Sequence, residues 1–320
     1  MARLSNDNAE LVPRTSFDGP ELRFDLPGLE IGVAEYDEGP TGCTVFSFPG
    51  GSSAASFDVR GGSPGISGEG HELVDAICLA GGSLYGLEAA AGVAAEHLAR
   101  HEYRTGWLEI PIVAGAIIFD WGPRDNAVYP DKELGRAAFR AARPGVFPLG
   151  ARGAGRSATA GKLFSYEERE PSGQGGAFRQ IGETKIAVFT VVNAIGAIVD
   201  REGKVVRGHL DESSGLRREL VPGLEQRLAD GLPVRTPPGN TTLTVVVANL
   251  ALDARQLRTL GRQVHTSMAR AIQPFHALED GDVLFAVSTG AIESDPLLDT
   301  TALGVVASEV AWDAVLSAAQ

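Results

Sequence analysis

The stretch Leu243-Thr244-Val245-Val246-Val247-Ala248 restricts the folds open to this chain more than any other. A short, dense run of β-branched and apolar residues forms a buried strand. Ahead of it, Pro233 to Asn240 holds three prolines, one glycine and no hydrophobic period, so it reads as a linker or exposed loop. Behind it, apolar spacing predicts a helix from about Asp253 to Ile272, with Leu257, Leu260, Val264 and Met268 on one face. A short buried strand at Leu284 to Val287 and a closing amphipathic helix from Thr301 to Ala319 complete the chain. Strand, helix, strand, helix in this order points to a layered α/β sandwich.

Upstream, Ile31 to Tyr36 and Cys43 to Phe48 read as paired strands joined by the turn residues 38–42. Leu84 to Leu98 repeats small and apolar residues at helical spacing. Leu108 to Phe119 reads as a strand pair or one long strand, and Lys132 to Arg143 as a short helix. Lys185 to Val192 and Ala197 to Val199 look like a hairpin around Asn193-Ala194-Ile195-Gly196, and Pro222 to Leu228 like a short helix with proline in its first turn. The first 25 or so residues, rich in Asn, Pro and Asp, resemble a loose arm or a strap across a neighbour.

Composition narrows the function classes. A net charge of −13 with scattered basic residues makes nucleic acid and anionic membranes poor partners. Cys43 and Cys78 sit in apolar stretches and read as small buried hydrophobes, not a disulfide scaffold. The polar start and the absence of long apolar runs point to the cytoplasm. A length of 320 residues is compatible with one large domain.

The junction Pro237-Pro238-Gly239-Asn240-Thr241-Thr242-Leu243 runs a flexible loop straight into the rigid strand, with two hydroxyl residues where they meet. A threonine hydroxyl that attacks the carbonyl before it converts the amide to an ester and frees its α-amine, and hydrolysis of the ester then separates the two pieces. With an ordinary pKa of about 7.7 to 8.0, that amine serves as base for its own hydroxyl near neutral pH. By itself, Asn-Thr-Thr ahead of a strand is more often an ordinary Asx or Thr turn.

Further motifs are spread over most of the chain. They include Leu22-Arg23-Phe24-Asp25, Gly39-Pro40-Thr41-Gly42, Ala76-Ile77-Cys78-Leu79-Ala80-Gly81-Gly82 with Tyr85-Gly86-Leu87-Glu88, and Tyr103-Arg104-Thr105-Gly106. Val128-Tyr129-Pro130-Asp131-Lys132, Gly153-Ala154-Gly155, Ala160-Gly161-Lys162 and Gly239-Asn240-Thr241-Thr242 continue the series. Gln273-Pro274-Phe275-His276, Asp280-Gly281-Asp282, Ser308-Glu309-Val310 and Trp312-Asp313-Ala314-Val315-Leu316 end it. With these the sequence resembles the L-aminopeptidase/D-amidase-esterase family of self-processing N-terminal nucleophile hydrolases. Within that family it is most similar to the nylon-oligomer (6-aminohexanoate-oligomer) endohydrolases.

The resemblance implies a four-layer αββα sandwich, a cut between Asn240 and Thr241 into fragments 1–240 and 241–320, and Thr241 as nucleophile. It implies that Lys162 lies beside Thr241, where an ammonium would hold the Thr241 amine neutral and basic. It makes Asn193 the donor to the tetrahedral intermediate, and Asp280 and Asp282 an acidic pair orienting the nucleophile. Two apart on an extended segment, these carboxylates face one side and need cations, for which Lys162 and the Thr241 amine are the candidates. Phe119 stands where the nylon-oligomer enzymes carry a tyrosine, which leaves substrate preference open. His265 and His276 have neither triad order nor metal spacing around them and read as structural.

The implied protein is a homotetramer of cut heterodimers that hydrolyses small linear amides with no metal or cofactor. An aminopeptidase or β-peptidyl aminopeptidase is the neighbouring alternative. An uncut binding or assembly protein is the alternative from another class.

Overall fold

The computed structural model describes residues 3–234 and 238–320. Two stacked sheets form its centre. The larger has six strands in the order Gln174–Ile181, Thr184–Asn193, Thr241–Leu250, Val283–Ile292, Ser53–Val59 and Leu73–Val74. The smaller has five, in the order Glu30–Tyr36, Thr41–Ser47, Ala76–Ala80, Val113–Ile117 and Ile66–Ser67.

Alternation along the strands assigns the layers. In the larger sheet Phe189, Val191, Leu243, Val245, Val247, Val283, Phe285 and Val287 meet Ile31, Val33, Phe46, Ile77 and Leu79 of the smaller one, forming the inter-sheet core. The intervening Val188, Val246, Ala248, Leu284 and Ala286 face the other way, onto helices α4 (Ala254–Ser267) and α5 (Thr300–Ser317). On the far side Ala34, Cys43, Val45, Cys78 and Ala80 carry helices α1 (Glu88–Arg100) and α2 (Lys132–Arg140). The result is the αββα sandwich that the resemblance implies, and both cysteines are buried in it.

Thr241–Leu250 and Val283–Ile292 pair in parallel, Leu243 against Val283 through Val247 against Val287. Parallel neighbours need a crossover, and α4 supplies it. A reciprocal cap starts that helix: Asp253 Oδ1 accepts from the Gln256 N–H (2.8 Å), and Gln256 Oε1 accepts from the Asp253 N–H (2.9 Å). α4 ends at Ser267, short of Ile272, because Met268–Arg270 tightens into a 3-10 turn. A further α-helix, α3 (Leu220–Ala229), covers the short helix expected near Pro222.

Three expectations change. The hairpin around residues 193–196 does not form: Thr184–Asn193 pairs with Gln174–Ile181 and Thr241–Leu250, while Ala197–Val199 joins Val205–Arg207 and Ile272–Gln273 in a separate small sheet. A turn-like sequence marks the exit from one sheet into another. Between Leu108 and Phe119 only Val113–Ile117 is a strand, because Pro111 withholds an N–H from any ladder and Leu108 is 96% exposed. The N-terminal arm straps its own fold: Arg14 exchanges backbone hydrogen bonds with Glu35 (2.9 Å each), and Glu21–Arg23 pairs with Val146–Pro148. Among the described residues no helix is long and apolar enough to cross a membrane.

Candidate active site

Thr241 opens the central strand of the larger sheet, opposite Asn193 in the antiparallel ladder. Both side chains belong to the face that carries Val191 and Leu243, between the two sheets. The chain is exposed at Pro238 and buried two residues later, Asn240 being 2% and Thr241 4% exposed. Residues 235–237 of the expected linker, including Pro237, lie outside the described residues. The Thr241 hydroxyl donates to the carbonyl oxygen of Asn240, so it sits against the bond expected to break.

Gly239 has φ +90°, and a Cβ there would lie 2.6 Å from Cδ1 of Phe119. Only glycine fits a left-handed turn pressed on that ring. Phe119 is held by the residues after it: Asp120 Oδ1 accepts from Arg124 (2.7 Å) and from the Gly82 N–H (2.8 Å), and Asp120 Oδ2 accepts from the Thr41 hydroxyl (2.7 Å). This buried network bore no sequence signal. Beyond Phe119, Trp121 and Tyr85 stack at 5.6 Å, and Tyr85 and Phe119 leave much of their surface open to solvent.

Asn193 is oriented from behind. Its Oδ1 accepts from Lys162 Nζ (3.1 Å) and the Thr159 N–H (3.1 Å), so its Nδ2 faces the carbonyls of Phe119 (3.0 Å) and Gly239 (3.1 Å). Lys162 also donates to the Asn193 carbonyl (3.0 Å), and its own N–H donates to the Ile195 carbonyl (2.8 Å). Burial lowers the Lys162 pKa to about 7; the Asp280 charge opposes the fall and Arg169 adds to it. Lys162 is therefore a group that changes charge at neutrality, an amine as much as an ammonium.

Asp280 and Asp282 flank Gly281 where the chain enters the parallel strand, and both are fully buried. Asp282 accepts from the Thr242 N–H (2.7 Å) and from the backbone N–H of His276 (3.1 Å), and its carboxylate lies 3.1 Å from His276 Nδ1. Asp280 accepts from the Ala277 N–H (3.2 Å). Burial raises the Asp280 pKa to about 7 and Asp282 pushes it the same way, against backbone hydrogen bonds from Ala277 and Ile195 and the Lys162 charge.

The structure thus links Lys162, Asn193, Phe119, Asp280 and Asp282 to the Asn240–Thr241 segment, and sets His276 against Asp282. His276 adjoins His265 (ring centroids 4.4 Å), which meets Asp58 through Nδ1 (2.9 Å). Both histidines thus make the hydrogen bonds expected of structural residues, with carboxylates as partners.

Two titrations near neutrality give a measurable signature. Between about pH 7 and the ordinary lysine value of 10.5, the unfolded chain keeps a proton on residue 162 that the folded chain has released, so stability rises with pH. Between 3.8 and about 7 the folded chain keeps a proton on Asp280 that the unfolded chain has lost, so stability falls as pH rises. Thermal melts of an uncut Thr241→Val chain are expected to lose the rising limb with Lys162→Met and the falling limb with Asp280→Asn. Unchanged slopes in both would contradict these shifts.

Comparison with known proteins places the chain. It is 48% identical to the 6-aminohexanoate-oligomer endohydrolase of Agromyces sp. (strain KY5R), over 98% of this chain and 90% of that protein. The enzyme of the same description from Paenarthrobacter ureafaciens is also 48% identical, with the same coverage. Among solved structures, the L-aminopeptidase D-Ala-esterase/amidase of Ochrobactrum anthropi, described as a variant of the Ntn hydrolase fold, superposes with a TM-score of 0.65 at 16% identity, over 95% of this chain and 88% of that one. A Burkholderia sp. beta-aminopeptidase superposes with a TM-score of 0.64 at 16% identity, over 92% and 84%. The model of Peptidase family S58 matches residues 24–320, and the chain belongs to that family of amide-bond hydrolases.

Proposed function

We propose that the chain cuts itself between Asn240 and Thr241 and that the freed Thr241 is the nucleophile of a hydrolase for linear amides, 6-aminohexanoate oligomers among them. The observation that carries this reading is the Thr241 hydroxyl bonded to the Asn240 carbonyl inside a buried shell of Lys162, Asn193, Asp280 and Asp282. In the cut, the Oγ–carbonyl bond forms and the Asn240–Thr241 amide breaks. The hydroxyl proton passes to a base, and the amide nitrogen takes up a proton as it becomes the α-amine. Water then releases the Asn240 carboxylate and restores the hydroxyl.

After the cut, the α-amine takes over as base and Asn193 donates to the substrate oxyanion. Phe119, Trp121 and Tyr85 offer an apolar aromatic surface suited to a polymethylene chain. The endohydrolases at 48% identity are named for such substrates, which supports extending the reading to this chain. A homotetramer of cut heterodimers belongs to the same proposal. Exposed Trp107, Leu108 and Ile110 make the kind of surface that subunits cover.

Intact mass after expression should give fragments 1–240 and 241–320, and the cut protein should release aminohexanoate products from linear oligomers. One full-length species after prolonged incubation rules out the cut. Activity confined to amino-acid p-nitroanilides would replace the endo-acting reading with the aminopeptidase one.

A further inference from the structure

We propose that the backbone N–H of Gly281 is the oxyanion donor for the self-cleavage step, while the Asn193 amide is withheld from that step and serves later turnover. The inference rests on the self-cleavage reading above and adds a division of labour between two donors.

The carbonyl attacked in the cut is that of Asn240. Its oxygen accepts from the Gly281 N–H at 2.8 Å, within the roughly 2.7 to 3.1 Å that suits a donor to a developing oxyanion. The Asn193 side chain, which the resemblance makes the oxyanion donor, points elsewhere in this uncut chain. Both its N–H directions are taken by carbonyls, those of Phe119 (3.0 Å) and Gly239 (3.1 Å). Its Oδ1 is fixed by Lys162 and the Thr159 N–H, so the amide cannot turn over without losing them. The carbonyl of Gly239 precedes the scissile bond by one residue. Cutting lets the Pro238-Gly239-Asn240 end withdraw, and that withdrawal frees the Asn193 N–H that Gly239 holds, while the other stays on the Phe119 carbonyl.

Gly281 is held rigidly enough for the task. On one side of it the Asp280 carbonyl accepts from the Ser63 N–H (2.9 Å), and on the other the Asp282 carbonyl accepts from the Arg60 N–H (3.0 Å). A fixed donor costs no reorganisation as charge develops on the oxygen. The position also needs to be glycine, because a Cβ there would stand 2.7 Å from the Thr241 hydroxyl oxygen and 2.8 Å from the Ser63 carbonyl oxygen. The residue that donates to the carbonyl thus also leaves room for the nucleophile that attacks it.

The test replaces the N–H alone. Glycolic acid at position 281, installed by stop-codon suppression, substitutes an ester oxygen for the amide nitrogen; every side chain stays, and the Asp280 carbonyl, now an ester's, accepts more weakly from the Ser63 N–H. Intact mass followed over time should show the cut slowed by about 10²- to 10³-fold. The same replacement at Gly203, whose N–H donates to the Asp200 carbonyl in a separate turn (3.1 Å), should cut at the parental rate.

A second readout does not depend on cutting. In Thr241→Val, carbonyl-labelled Asn and nitrogen-labelled Val create a single doubly labelled peptide bond, since no other Asn precedes Val. Loss of the Gly281 donor should move that carbonyl resonance upfield while the remaining amide spectrum keeps its folded pattern. A parental cutting rate in the glycolate variant, or an unmoved carbonyl resonance, overturns the division of labour and leaves the self-cleavage reading standing. A parent chain that never cuts overturns both.

Discussion

Thr241→Ala is expected to remain a single 320-residue chain with no amidase activity. Both losses would have one cause, because in the proposed mechanism the same hydroxyl attacks the Asn240 carbonyl and later the substrate. Loss of a hydroxyl nucleophile lowers kcat by a factor on the order of 10⁶, beyond what a shift in packing produces. The neighbouring threonine is the control. Thr242 lies on the opposite face of the strand, and its hydroxyl has no hydrogen-bond partner among the described residues. Thr242→Val should cut normally and melt no lower than the parent, since a buried hydroxyl without a partner contributes little to stability. Mass spectrometry and thermal melts on the two variants decide the matter. An uncut Thr242→Val beside a cut Thr241→Ala would move the nucleophile by one residue.

Asn193→Ala, assayed as cut protein, is expected to lose about 10²- to 10³-fold in kcat with a small change in KM, because its amide donates to charge that exists only in the transition state. The truncation also strips an acceptor from Lys162 and from the Thr159 N–H, and each buried donor left without a partner costs about 1 to 3 kcal/mol. Asn193→Asp separates the two effects. It keeps the acceptor for Lys162 and Thr159 but turns a carboxylate oxygen, in place of a donor, onto the Phe119 carbonyl, so kcat should stay low although the Lys162 and Thr159 donors keep their partner. Recovery of kcat in Asn193→Asp would make the residue structural.

The sequence and the fold agree where one local signal suffices. The β-branched run at 243–248 could only be buried, and Asp253 with Gln256 encodes a cap for the helix that follows. Agreement ends where pairing is long-range. Asn193-Ala194-Ile195-Gly196 has the composition of a turn, yet the strand before it finds its partner more than 40 residues away at Thr241–Leu250. Local composition cannot report that. The site follows the same division. The junction at Asn240-Thr241 is suspicious by itself, since a proline-rich loop meets a strand there.

Lys162 and Asn193 carry no such mark, and only the family motifs single them out before the fold is known. His276 reads as structural from the sequence, and nothing local announces its pairing with Asp282, because a histidine beside a carboxylate follows no fixed spacing. Its positive φ of 62°, unusual outside glycine, shows how tightly the backbone curls to bring ring and carboxylate together.

If the chain is cut as proposed, the ladder around the central strand governs how long the molecule lasts. Residues 184–193 and 241–250, which the proposed cut would place in separate fragments, are zipped along eight paired positions, while Val283–Ile292 flanks the opposite edge. Before cutting, a chain that opens can close again as a unimolecular event. Afterwards the same opening yields two separate polypeptides whose return is second order, slower with every dilution. Cutting therefore turns a reversible equilibrium into a one-way loss at low concentration. The lifetime of the mature enzyme is then set by how slowly those paired strands part.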